Sequence, residues 1–284
     1  MKLDKRKAEE EFFKILMRIS ALIVMSSLLL IVGSVFAKGF PSLSIEMLTE
    51  TPKGGFYMGG EGGILNSIIG SLYLAFGATV LALIIGYPIV IYMNVYAGKD
   101  SKRANLIRVC FDVLWGIPSI VYGAFGFVIM IFLGIKTSLL AGILVITLVV
   151  LPVIVRTIDE VVRMVPNGLF EASYALGATR FETAFKVISR QVLPVILTSV
   201  LVAFGRAIGD AAAVLFTAGF TDYIPTSLFQ SAATLPLAIF FQLGSPIVEV
   251  RERAYASAFV LTVIILLVSV ISRFLIRRYK KFKV

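Results

Sequence analysis

The strongest constraint on this chain is a series of apolar runs too long for a globular core, separated by short basic segments. They lie at roughly Ile19–Ala37, Ile64–Ala97, Leu106–Leu133, a run ending near Val155, Val195–Phe220 and Ala254–Ile276. Each is about as long as the ~20 residues needed to cross a hydrocarbon core of about 30 Å. Hydrophobic residues make up 58% of the 284 positions, and the mean hydropathy is +0.95. A soluble domain is nearer 45–50% apolar. The fold expected is therefore all-α and integral to a membrane. Six transmembrane helices form one domain over residues 1–284.

Charge then sets the orientation. Six basic residues lie in 1–18, four in 99–108, five in 156–190 and six from Arg273 onward; these 21 share one side of a six-span chain. The other side carries five: Lys38, Lys53, Lys136, Arg251 and Arg253. Lysine and arginine concentrate on cytoplasmic loops, so the N- and C-termini are expected to be cytoplasmic. The same asymmetry accounts for the net charge of +10 without nucleic acid. The single cysteine, Cys110, allows no internal disulfide, and histidine is absent. The chain thus lacks the commonest metal ligand and the commonest general base. No paired-carboxylate or metal constellation argues for a membrane enzyme.

Several local features modify the six-span reading. The first run follows a basic head and reads as a retained span; a cleavable signal peptide is the alternative, although the run exceeds the usual apolar core of about 7–15 residues. Residues 38–63 are polar and glycine-rich, and no Gly-Lys-Ser/Thr follows to make a phosphate loop. The second run is longer than the bilayer requires, and Gly86-Tyr87-Pro88 is the expected bend. Pro118 interrupts the third run, and a neighbour must satisfy the carbonyl it frees. Such a break can be a plain kink or can line a pathway.

Val165–Pro194 is the longest internal segment with interspersed charge. It reads as two short helices around a turn. Pro166 suits the start of the first helix. Gly177 suits a left-handed stop. Thr179 and Glu182 form a capping box opening the second. Phe181, Ala184, Phe185, Ile188 and Val192 then recur at helical spacing as one apolar face. From these residues alone, an amphipathic pair lying on the membrane surface is an equal reading.

Arg206 and Asp210 lie inside the fifth run. Arg206 falls about 16 Å above Val195 if the helix is regular, near the middle of the bilayer. An arginine there costs roughly 2.5–3.5 kcal/mol on insertion scales. Asp210, four residues on, can pair with it. Ser199, Ala203, Arg206, Gly209, Asp210, Ala213 and Thr217 form a small, polar face on one helix. The pair either locks two helices together or places a charge on a solute pathway. A guanidinium there suits an oxyanion.

These residues carry a family resemblance. Glu171-Ala172-Ser173, followed by Gly177, resembles the EAA loop of ABC-importer permeases. Gly62–Ser71, Gly116–Gly123, Val155–Glu160, Arg206–Asp210 and Ala232–Pro236 are together similar to segments of the PstA family of phosphate-importer permeases. The resemblance covers about residues 59–260. It implies a type I ABC-importer permease fold and ATP-driven phosphate import. It also implies four kinds of partner: a second, PstC-like permease subunit, a PstB-like ATPase dimer, a PstS-like extracytoplasmic phosphate-binding protein and the lipid bilayer. This chain would hold no cofactor, with ATP and Mg in the ATPase. Glu171, Ala172 and Gly177 would contact that ATPase, while Arg206, Asp210 and Arg156 would line the pathway. A permease for molybdate or sulfate is the nearest alternative, and a secondary transporter a more distant one. Two departures stand out. Ser189-Arg190 occupies the place of a common Leu-Pro, so the second coupling helix is expected to run straighter. Asp210-Ala211 stands where Glu-Thr is more usual.

Overall fold

The computed structural model describes residues 2–53 and 62–279. Much of the glycine-rich connection, including Gly59 and Gly60, and the basic tail from residue 280 lie outside the described residues. Among the described residues every regular element is helical. In chain order these are α1 (Lys2–Gly39), α2 (Ile45–Thr49), α3 (Leu65–Ile91), α4 (Lys102–Gly116), α5 (Ser119–Leu133) and α6 (Leu139–Met164). They continue with α7 (Asn167–Ala175), α8 (Arg180–Glu182), α9 (Ser189–Gly209), α10 (Leu235–Gln242) and α11 (Val248–Tyr279). Two π-helical turns, Tyr92–Tyr96 and Thr183–Ile188, extend α3 and join α8 to α9.

Five continuous helices are long and apolar enough to cross a membrane: Glu9–Gly39, Leu65–Tyr96, Leu139–Met164, Arg180–Gly209 and Val248–Phe274. α4 and α5 meet at 96° and are long and apolar enough only as a pair, either one broken span, which makes six crossings, or a re-entrant loop. The central helix is α6. It is the most enclosed of the long helices: Ile143, Ile146, Val150, Ile154 and Ile158 are buried, while Leu144 and Leu148 leave a strip exposed. α3 packs along it, and α9 packs against both. α1 leans on α11 through an edge-to-face Phe36–Phe259 contact with centroids 4.9 Å apart. Its remaining apolar surface, such as Leu28, Leu29 and Leu30, is exposed. In a bilayer such side chains meet acyl chains rather than water.

Three boundaries differ from the sequence expectation. There is no break at Gly86-Tyr87-Pro88; Pro88 lies inside α3, and the irregularity comes later, at Tyr92–Tyr96. At 32 residues the helix with its π turn is about 48 Å long, more than a bilayer core of about 30 Å. α6 continues past Val155 to Met164, which puts Arg156, Asp159 and Arg163 on its last turns. The fifth span ends at Gly209 rather than Phe220. Asp210 is extended (φ −83°, ψ 117°), and its Oδ1 accepts from the amide of Ala213 at 2.9 Å, starting a new turn.

That irregular stretch is tied into the fold. The Ser138 amide donates to the Thr217 carbonyl at 3.0 Å, and Ala232 donates to Ala218 at 2.9 Å. Non-helical backbone at membrane depth survives where protein partners satisfy it. The same logic joins two of the resembling segments. Asn66 Nδ2 donates to the Thr221 carbonyl at 2.6 Å, and the Leu235 amide donates to Ser71 Oγ at 2.7 Å. A Cβ at Gly70 would collide with the Ala233 carbonyl oxygen, so glycine permits this approach.

Candidate functional site

The stretch Val165–Pro194 folds as its caps dictate. α7 ends in a Schellman arrangement: Gly177 donates to the Tyr174 carbonyl at 2.9 Å and Ala178 to Ser173 at 3.2 Å. Gly177 has φ +82°, a conformation open to glycine at little cost. The capping box is complete. The Glu182 amide donates to Thr179 Oγ1 at 3.2 Å, and the Thr179 amide donates to Glu182 Oε2 at 3.1 Å. Ser173 and Thr183 share a buried hydroxyl hydrogen bond of 2.8 Å that staples the two helices into a hairpin. Glu171, Ala172 and Gly177 are all exposed, and Leu176 beside them is 89% exposed. The hairpin therefore presents an apolar tip flanked by a carboxylate.

The second coupling helix departs from expectation in two ways. It runs without a break from Arg180 into α9, but through a π-helical turn rather than as a plain straight helix. Ser189 closes that turn: its hydroxyl donates to the Ala184 carbonyl at 2.7 Å and also hydrogen-bonds Tyr87 of α3. Ala184, Ile188 and Val192 are buried as expected, while Phe181 and Phe185 are exposed. The extra residue in the π turn rotates the face, so the two rings stack on each other, 4.6 Å between centroids. They leave the core to smaller residues.

Pro118 stands at the corner between α4 and α5. Pro118 has no N–H for the Leu114 carbonyl four residues back. The Tyr122 hydroxyl donates to that carbonyl at 2.9 Å, and the Ile117 amide also reaches it at 3.3 Å. Tyr122, missed in the sequence, thus braces the break from the next helix. It also lies within the field of Arg206.

Arg206 sits in the last turn of α9 and is exposed. Among the described residues no ion pair or hydrogen bond engages its guanidinium. The expected pairing with Asp210 is absent, because the helix ends between them and the Asp210 carboxylate caps the following turn. The single small, polar helix face is likewise split at Gly209. A cation at a helix C-terminus is favourably placed against the backbone dipole.

Arg156 has a different setting. Its Nε lies 2.9 Å from Asp112 Oδ1, both side chains being partly exposed. The pair lines a cleft of about 710 Å³ between α4 and α6, with Trp115, Thr157, Glu160 and Arg163 around it. One turn toward the cytoplasmic end lies a second α4–α6 pair of opposite polarity. Arg108 Nε and Nη2 grip Asp159 at 2.8 and 3.1 Å, and Asn94 Nδ2 donates to the same carboxylate at 2.7 Å. Arg108 and Asp159 are only 6% and 1% exposed. Neither was singled out from the sequence. The available signal was a charge on the apolar face of each helix.

Comparison with known proteins fits this geometry. Residues 86–281 match the model of the family described as the binding-protein-dependent transport system inner membrane component. This chain belongs to that family. The phosphate transport system permease protein PstA of Xylella fastidiosa strain 9a5c is 33% identical over 251 residues, covering 87% of this chain and 85% of its own. PstA of Haemophilus influenzae is 30% identical over 275 residues, 97% of this chain and 96% of that protein. Among solved structures, a chain of the MetNI methionine ABC transporter in an inward-facing conformation superposes with a TM-score of 0.61. At 21% identity it covers 76% of this chain and 95% of its own length. The permease therefore has the type I ABC-importer fold, and it is a multi-pass component of the inner membrane.

Proposed function

We propose that this permease is the membrane-spanning subunit of an ATP-driven phosphate importer. The observation that carries the reading is end-to-end similarity to PstA proteins, 96–97% of each chain in the case of the Haemophilus influenzae relative. The chain is a transport subunit rather than an enzyme; ATP and Mg belong to a partner ATPase. A second, PstC-like permease subunit completes the pathway. A PstB-like ATPase dimer sits below and a PstS-like phosphate-binding protein outside.

Arg206 is the electrostatic contact for phosphate in this reading. Its guanidinium is exposed and unengaged among the described residues, so its donors are open to an anion. A phosphate oxyanion engages them as a transient, bidentate partner. Asp210 serves the pathway indirectly by ending α9 just beyond Arg206 and holding the next turn. Arg156 becomes available to the anion only when it leaves Asp112. Pro118 shapes the wall opposite through Tyr122. The hairpin tip at Glu171, Ala172, Leu176 and Gly177 docks on the ATPase, and its movement alternates the spans between outward- and inward-facing arrangements.

The decisive experiment is uptake of labelled phosphate by the complete importer in proteoliposomes, with sulfate and molybdate as competitors. Phosphate should be accumulated in an ATP-dependent way and resist competition. Preferential uptake of either competitor would replace the substrate while leaving the permease role intact.

A further inference from the structure

Lys99 occupies the junction between the coupling hairpin and the buried centre of the cytoplasmic half. It lies in the short turn after the π-helical end of α3. Its ammonium donates to the Val165 carbonyl at 2.5 Å, to Asn167 Oδ1 at 3.1 Å and to the Arg163 carbonyl at 3.3 Å. An ammonium has three donors, and all three find acceptors at the α6–α7 joint. The same nitrogen lies 4.8 Å from the centroid of Phe170, the residue before Glu171. Lys99 therefore holds the hairpin at its first residue and one position before its exposed carboxylate. Burial lowers its pKa from the usual value; Asp100 opposes this shift and Arg163 adds to it.

The backbone of Lys99 faces the other way. Its carbonyl accepts from Arg108 Nη1 at 2.6 Å. That guanidinium is the one fixed to Asp159 of α6, and Asp159 also receives Asn94 from the π turn. One residue thus joins the hairpin by its side chain and α3, α4 and α6 by its backbone. A second strut, from Arg180 Nη1 to the Tyr96 carbonyl at 3.3 Å, runs alongside. The Asp159 end of this network is one turn from the Arg156–Asp112 pair in the cleft.

We propose that Lys99 is a positioning residue for energy coupling: it transmits displacement of the α7 hairpin, through Arg108 and Asp159, to the α4–α6 cleft. This rests on the reading of the hairpin as the ATPase contact. Residues tied to one another by several short hydrogen bonds move together, whereas hairpin and spans linked only by chain would slip past one another. A physical link of this kind needs a coupling measurement to establish it.

The test uses the whole importer in proteoliposomes and reads phosphate moved per ATP hydrolysed. Lys99→Met keeps the aliphatic stem against Phe170 and removes the three donors. The ratio should fall by roughly two- to thirtyfold, the range for residues along a coupling network. Assembly should persist, and Lys99→Arg, which retains charge and donors, should restore most of the ratio. A purely structural residue would lower uptake and hydrolysis together and leave the ratio unchanged. Asn167→Ala removes one exposed acceptor and should give a smaller fall that does not add to that of Lys99→Met. An unchanged ratio in Lys99→Met overturns the proposal, as does an equal loss in Lys99→Arg. If the Lys99→Met complex fails to assemble, an unchanged ratio in Asn167→Ala overturns it instead. Glu171→Lys separates the two layers. If it uncouples the importer while Lys99→Met does not, the docking surface stands and the Lys99 route fails; if neither does, the docking surface fails first.

Discussion

Arg108 and Arg206 are both arginines on apolar helices, yet the fold treats them oppositely. Arg108 is buried and closely held: a bidentate carboxylate, a backbone carbonyl and the Asn105 side chain take four of its five donors. Arg206 is exposed at a helix end with no described partner. The first is a fixed part of the scaffold, because removing either member of a buried pair strands the other charge. The second is free to meet a ligand. Arg156 lies between them, half-exposed and held by a single carboxylate. The difference teaches that an intramembrane charge gains functional meaning from what is left unpaired rather than from its depth.

The largest effect should come from the buried end of this comparison. Arg108→Met leaves Asp159 buried and uncompensated, and should cost about 3–5 kcal/mol. Thermal unfolding of the solubilised importer reads this, and Arg108→Met with Asp159→Leu should recover most of the loss. An unshifted unfolding temperature in the single variant would erase the distinction between scaffold and site.

Arg206→Gln tests the other end. Unfolding should be unchanged, while the phosphate concentration for half-maximal uptake rises about ten- to hundredfold. That is the value of about 1.5–3 kcal/mol for hydrogen bonds to a charged group. If the variant unfolds like Arg108→Met, Arg206 belongs to the scaffold after all.

Smaller effects sharpen the same contrast within the hairpin. Gly177→Val forces a branched side chain into a left-handed position at a cost of about 1–2 kcal/mol. The cost should appear as lower phosphate-coupled ATP hydrolysis with the spans still folded. Full coupled hydrolysis in that variant would remove the hairpin tip from the docking surface. Thr179→Ala removes one half of the capping box and should cost about 1 kcal/mol. Hydrogen exchange should then speed up locally at Arg180–Thr183, with exchange in α6 unaltered. Faster exchange in α6 as well would show that the hairpin and the central helix are one cooperative unit.

Much of the fold could be read from local sequence. The caps around Gly177 and Thr179–Glu182 depend on near neighbours, and their hydrogen bonds form as the residue types require. The corner at Pro118 follows from a missing N–H. The misplacements have separate causes. Pro88 does not interrupt α3, which stays helical through it to Ile91. Gly209 ends α9 because the Asp210 carboxylate captures a nearby amide instead of pairing with Arg206. Phe181 and Phe185 leave the expected face because a π turn adds a residue between the caps and α9.

For this permease, apolar run length and basic-residue asymmetry in the sequence determined a six-span protein with a cytoplasmic hairpin. Those properties depend on transfer of side chains and charges between water and lipid, which acts residue by residue. Tertiary structure alone decided which charges are spent. Arg108 and Asp159 lie 51 positions apart and Lys99 and Asn167 lie 68 apart. Packing of α4 against α6 brings the first pair within hydrogen-bonding distance, and the turn after α3 carries Lys99 to the α6–α7 joint. Whether an arginine is scaffold, latch or ligand contact is a property of its neighbours in space.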